Sequence, residues 1–135
     1  GSCALWWRGH IPTLPGERLG VIGRYACEHE PVGLLERACA RLRAEGCTVA
    51  VGPMDGNTWR TYRFVTDDPS GEPPFFLEPN NPPEYPGQWR DAGFVPHATY
   101  RSTVADDLAL AGPRAPRIAA RMEAAGVTLR PVEMA

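Results

Sequence analysis

A chain of 135 residues that is 43% hydrophobic and 22% charged can bury one ordinary core, which argues for one domain. The formal charge is −2, and all fourteen basic residues are arginine, so Schiff-base sites, phosphate-loop lysines and lysine bases are excluded. Those arginines are scattered among sixteen acids rather than gathered into a stripe, which argues against nucleic acid, and no apolar run approaches the ~20 residues of a membrane span.

Gly1-Ser2 reads as the scar of a removed tag, and no charged and apolar leader follows it, so the expected location is the cytoplasm. Cys3 to Arg8 and Arg18 to Tyr25 are two short apolar segments joined by a loop with Pro12, Pro15 and Gly16, the pattern of a β-hairpin. From Pro31 the spacing becomes helical, with Leu34, Leu35, Ala38, Cys39 and Leu42 on one face, Glu36, Arg37, Arg41 and Arg43 opposite, and Gly46 as the stop. Cys47 to Gly52 is a run of small and β-branched residues suited to a buried strand parallel to the one before the helix. Eight of the fifteen prolines lie between Pro69 and Pro96, so regular structure there must be short.

Asp67 to Gly71 is a turn by composition, Phe75 to Leu77 a short apolar segment, and Pro83 to Ala92 a short helix with Trp89 on its buried side and Gly93 at its end. Phe94 to Val104 alternates as a strand does. Arg114 to Ala125 has helical spacing, with Ile118, Met122 and Ala125 on one face and Gly126 after it, and Val127 to Pro131 begins like a further strand. The cysteines at 3, 27, 39 and 47 show no metal-knuckle spacing, and a chain this long needs no disulfides, so they are expected as reduced thiols, mostly in the core. The expected class is α/β (α+β), a mixed, partly antiparallel sheet with flanking helices.

This order of elements resembles the second half of the fold of the GNAT superfamily of N-acetyltransferases. Arg37 to Val51 is similar to its long helix and following strand, and Trp89-Arg-Asp-Ala-Gly-Phe94 to its aromatic-x-x-x-Gly-Phe helix end. Gly52-Pro-Met-Asp-Gly-Asn-Thr-Trp59 and Phe75-Phe-Leu-Glu-Pro-Asn-Asn-Pro82 resemble a branch of uncharacterised GNAT-like proteins. The resemblance covers residues 3 to 132, without the family's first strand and its two helices. It implies a GNAT-like domain over residues 3–112, and over 113–135 a C-terminal helix and the start of a further strand or lead-in to a second such unit. The implied partners are that downstream unit or a second copy in a homodimer, and the implied cofactor is acetyl-coenzyme A.

In the family the cofactor pyrophosphate rests on backbone N–H groups at the start of the long helix, an anion site of the usual kind. The matching stretch here, Ala26-Cys-Glu-His-Glu-Pro-Val-Gly33, lacks the glycine pair, carries Glu28 and Glu30 where phosphates would sit, and has Pro31 without an N–H. Arg24 offsets part of that charge, while Asn57 and Tyr62 match the region that contacts the pantetheine arm; turn chemistry is the alternative use of Asp55-Gly-Asn57. For catalysis the resemblance implies a base and an acid: Glu78, flanked by Leu77 and Pro79, as the base, and Tyr100 or Tyr85 as the proton donor. Glu78 as a loop carboxylate on backbone amides and His97 as a structural hydrogen-bonder are the plainer uses. Cys27 and His29 form no complete metal set, and no G-x-S-x-G exists. Trp6, Trp7, Trp59 and Trp89 suit packing more than ligand stacking. Two functions stay open: an acyl-coenzyme A-dependent N-acyltransferase acting on a small amine, and a non-catalytic binding or assembly module whose sheet is completed by a partner.

Overall fold

The computed structural model describes residues 1–66, 78–103, 112, 114–128 and 130. The chain forms two compact units, Gly1–His97 and Ala98–Ala135. The first is a mixed α/β unit on a three-stranded sheet of order β1-β2-β3. Its strands are β1 (Ser2–Trp6), β2 (Leu19–Ala26) and β3 (Val49–Val51), and its helices are α1 (Pro31–Ala44) and α2 (Tyr85–Asp91). β1 pairs antiparallel with β2, and β2 pairs parallel with β3 in the register Leu19↔Val49 to Val21↔Val51. The expected hairpin and strand-helix-strand unit are therefore both present, with strand ends displaced by one or two residues.

β2 is the central strand, and its first five residues are buried in succession, as a strand covered on both faces requires. α1 lays Leu35, Ala38 and Leu42 on the sheet and leaves Glu36, Arg37, Arg41 and Arg43 outside. Full burial of Leu35 and Leu42 stabilises the unit by about 1.5–3 kcal/mol each. Ile22, Leu35, Ala38, Leu42 and Cys47 join Tyr25, Cys27 and Trp89 in one cluster, with Cys3 and Cys39 partly buried against it. All four cysteines are free.

Each helix ends in the same device. The N–H groups of Gly46 and Cys47 bond to the carbonyls of Arg43 (2.9 Å) and Leu42 (3.0 Å), those of Gly93 and Phe94 to Arg90 (2.9 Å) and Trp89 (3.0 Å), and those of Gly126 and Val127 to Glu123 (2.9 Å) and Met122 (3.0 Å). These are Schellman motifs, and the three glycines take the left-handed conformation they require, with φ of 84°, 86° and 75°. The second motif also closes an aromatic contact, with the Trp89 and Phe94 rings 4.6 Å apart.

The strand expected over Phe94 to Val104 does not form over 94–103, and Val104 lies outside the described residues. Phe94 closes the end of α2, Val95 is 83% exposed, and Pro96 lacks a ladder donor, so the alternation beyond it faces no sheet. Asp67 to Gly71 and Phe75 to Leu77 lie outside the described residues. In the second unit α3 (Ala115–Ala124) is present as expected, with its apolar residues exposed rather than packed, Ile118 at 47% and Met122 at 36%. Residues 127, 128 and 130 make no strand, and 129 and 131 lie outside the described residues. Among the described residues no helix is long and apolar enough to cross a membrane.

Gly52 follows β3 at a close approach: a β-carbon there would stand 2.5 Å from the Ile22 carbonyl oxygen and against the Trp89 ring. Gly52→Ala is expected to lower the unfolding free energy by about 1–3 kcal/mol through overpacking. Gly87→Ala, inside α2 with nothing within 4 Å of the added carbon, is expected to leave it unchanged or raise it by about 0.5–1 kcal/mol. Urea denaturation of both variants checks the pair.

Candidate ligand-binding cleft

The parallel strands β2 and β3 finish on the same side of the first unit, the position at which open α/β sheets form ligand crevices. Beyond Val51 the chain passes through a cis Gly52–Pro53 peptide into a closed loop. The Met54 N–H bonds back to the Ile22 carbonyl (2.9 Å), the Asp55 N–H to Thr61 (2.8 Å), and the Arg63 N–H to Pro53 (2.9 Å).

β2 meets this loop with a β-bulge. Its register against β1 shifts between Ser2 and Ala4, so Arg24 and Tyr25 together face Cys3. Arg24 has φ of 47°, a left-handed conformation that costs a non-glycine residue about 1–2 kcal/mol. Its N–H donates to Asp55 Oδ1 at 2.7 Å, which offsets that cost and ties the bulge to the loop. Gly23 makes the approach feasible, since a β-carbon there would stand 2.5 Å from Asp55 Oδ1 and against the Met54 carbonyl oxygen.

The third wall is pinned by an asparagine. Asn81 Oδ1 accepts from the Val65 N–H (2.7 Å), and its Nδ2 donates to the carbonyls of Val65 (3.3 Å) and Pro82 (3.0 Å), as a neighbouring strand would. The cleft so enclosed has a volume of about 290 Å3 and is lined by Arg24, Tyr25, Asp55, Thr61, Arg63, Phe64 and Tyr85, with residues 79–82 at its rim. Three rings form the apolar wall: Tyr25 and Tyr85 meet edge to face at 4.9 Å and 80°, and Phe64 and Tyr85 at 6.1 Å and 70°. The Tyr25 hydroxyl donates to Gln88 Oε1 (2.8 Å), and Gln88 Nε2 donates to the Cys27 carbonyl (3.3 Å). Burial, reinforced by the adjacent Cys27 thiol, pushes the Tyr25 phenol well above its ordinary range. Burial likewise raises the Cys3 and Cys39 thiols.

Of the residues singled out in the sequence as cofactor contacts or proton donors, Arg24 and Tyr85 line the cleft. Glu78 accepts from Arg63 at 2.8 Å, and Arg63 also donates to the Tyr62 hydroxyl (2.9 Å) and lies over the Tyr62 ring. Tyr62 and Glu78 thus reach the cleft through Arg63. Asn57 serves the turn: its Oδ1 accepts from the Trp59 N–H (3.0 Å), and its carbonyl from the Arg60 N–H (3.3 Å). Tyr100 belongs to the second unit and is 57% exposed. His97 is exposed, as is Trp59 at 95%, whereas Trp89 is buried. The Cys27 thiol donates to the His29 carbonyl (2.9 Å), and among the described residues no three metal-ligating side chains meet.

The cleft residues that sequence reasoning passed over include Tyr25, Asp55, Thr61, Arg63, Phe64 and Asn81. Asp55 stood out as part of a turn signal, and Asn81 as part of an Asn-Asn pair between prolines. Neither signal says which backbone amide the side chain reaches. At the start of α1 a second cavity, of about 280 Å3, is lined by Ala26, Cys27, Glu28, His29 and Tyr85 with Gly1. Glu30 caps that helix with φ of 53° and no side-chain bond, and Pro31 occupies its first turn. Compared with protein-family models, curated proteins and solved structures, the chain matches none of them.

A raised phenol pKa contributes stability that is fully present below the unfolded value near 10 and is lost as pH rises through the folded one. Ultraviolet absorbance titration of the native chain should therefore show a tyrosine phase lagging behind pH 10. That phase is expected to vanish in Tyr25→Phe and to merge with the rest in urea. A single transition in the native chain would contradict the burial of this hydroxyl.

Proposed function

We propose that the Gly1–His97 unit is a small-molecule-binding domain of GNAT-like design that takes its ligand in the cleft beyond the carboxyl ends of β2 and β3. The observation that carries this reading is the bulged, left-handed Arg24 tied to Asp55 over a cavity with aromatic walls. Backbone held in a costly conformation beside a concave, part-apolar, part-charged surface is what a binding site looks like. Location in the cytoplasm belongs to the same reading, as does pairing with a downstream unit or a second copy; the pairing is supported by the open edges of β1 and β3 among the described residues.

Acyl transfer from acetyl-coenzyme A to a small amine is the second reading. The Asp55 carboxylate in the cleft favours it, with Glu78 as the expected base and Arg24, Asn57 and Tyr62 on the cofactor; Tyr100, the expected acid, belongs to the second unit. The start of α1 weighs against it. A pyrophosphate there would meet Glu28 rather than a ring of donors, at about 1–4 kcal/mol of repulsion for charges ~4 Å apart, and Pro31 supplies no N–H.

Thermal-shift titration with a panel of small polar metabolites and acetyl-coenzyme A separates the two. The binding reading predicts saturable stabilisation by at least one small metabolite, lost in Phe64→Ala, and none by acetyl-coenzyme A. A ligand at 100 times its Kd stabilises by about 2.7 kcal/mol, a readily measured shift. Stabilisation by acetyl-coenzyme A alone would transfer the conclusion to acyl transfer.

A further inference from the structure

Among the described residues, the cleft carries one charge of each sign that no ion pair takes up. Asp55 uses Oδ1 for the Arg24 N–H, and its Oδ2 has no hydrogen-bond partner among the described residues. Of the two arginines in the lining, Arg63 is committed to Glu78 and Tyr62. The Arg24 guanidinium has no ion-pair partner among the described residues, and its residue is exposed at the cleft. Among the described lining residues, Arg63 being engaged with Glu78, the charges that face a ligand are the Arg24 guanidinium and the Asp55 carboxylate.

That balance selects among ligand classes. A plain anion such as phosphate is drawn to Arg24 and repelled by Asp55, and a plain amine meets the reverse. A molecule carrying an ammonium and a carboxylate satisfies both. The edge-to-face rings of Tyr25, Phe64 and Tyr85 add an apolar wall that also favours a cation near it. The cleft, of about 290 Å3 and open to solvent, has room for a molecule of amino-acid size.

Resting on the reading of this cleft as the ligand site, we propose that its ligand is a small zwitterionic amino carboxylate with an apolar side chain, its ammonium held by Asp55 and its carboxylate by Arg24. Arg24 and Asp55 are thereby the specificity-determining pair, and the hydrogen bond between them fixes the carboxylate against the backbone from which the guanidinium extends.

Calorimetric titration of the full chain with L-phenylalanine and L-leucine tests this, alongside the methyl ester of each, which loses the carboxylate charge, and the deaminated acid, which loses the ammonium. The zwitterions are expected to bind, and each truncated form to bind at least tenfold more weakly. Asp55→Asn keeps a carbonyl acceptor for the Arg24 N–H, and it should erase the preference for the zwitterion over the deaminated acid. Arg24→Gln should erase the preference over the ester. Equal binding of zwitterion, ester and acid by the native chain would overturn the assignment, as would no binding of either amino acid at 10 mM, on the order of the weakest useful affinity. If another ligand of the metabolite panel binds and Phe64→Ala abolishes it, the cleft is a site and only the zwitterion assignment falls. If no probe is sensitive to Phe64→Ala, both fall.

Discussion

The cleft depends on one hydrogen bond, from the backbone N–H of Arg24 to Oδ1 of Asp55 at 2.7 Å. It joins the bulge of β2 to the loop that follows β3, two segments thirty-one residues apart in sequence. Without it, a left-handed arginine in a strand has nothing to offset its conformational cost, and the loop is held to the sheet by the Met54 N–H bond to Ile22. A charge-assisted bond to a carboxylate is worth about 1.5–3 kcal/mol, comparable with the cost of about 1–2 kcal/mol that it offsets. The side chain that sustains the backbone also brings a carboxylate to the cleft, and the backbone it sustains brings a guanidinium. The contact that holds the cleft and the two charges proposed to take its ligand are thus carried by the same pair.

Around that contact the unit is built in layers of decreasing commitment. β2 and α1 form the buried centre, where Ile22, Leu35 and Leu42 exclude water. Trp89 carries α2 onto this centre and meets Gly52 at the exit of β3, so the cleft wall that includes Tyr85 is fixed by the same core. Asn81 then ties the proline-rich rim to Val65 without regular secondary structure, supplying by side chain the bonds that prolines withhold.

The centre was legible in the sequence for clear physical reasons. Helical spacing from Leu34 to Leu42, the small and β-branched run after Gly46, and glycines just beyond each helix are local signals, and the Schellman bonds of Gly46, Gly93 and Gly126 are their local outcome. Phe94 to Val104 misled because alternation reports a strand only where a sheet exists for it to face, and the capping contact of Phe94 with Trp89 had the same composition. At the site, Arg24 was visible as a charge. Asp55 was visible only as a turn residue, because its partner lies in another element and its pairing requires the bulge. Asn57, read as a ligand contact or a turn residue, forms the turn bond, a contact two residues long. Glu78, read as a carboxylate among apolar neighbours, has Arg63 as a partner, and fifteen residues separate them. Local chemistry was readable, and long-range pairing of charged side chains was not.

The most direct test of the Arg24–Asp55 contact is native-state amide hydrogen exchange measured residue by residue. If the contact organises the cleft, the amides of Arg24, Met54 and Asp55 exchange slowly, with protection approaching that of β2 itself, while the exposed Thr58 in the same loop exchanges freely. Exchange of the Arg24 and Asp55 amides at the rate of Thr58, with β2 still protected, would contradict it, since the loop would then stand open from the sheet and the cleft would not be formed in the ground state.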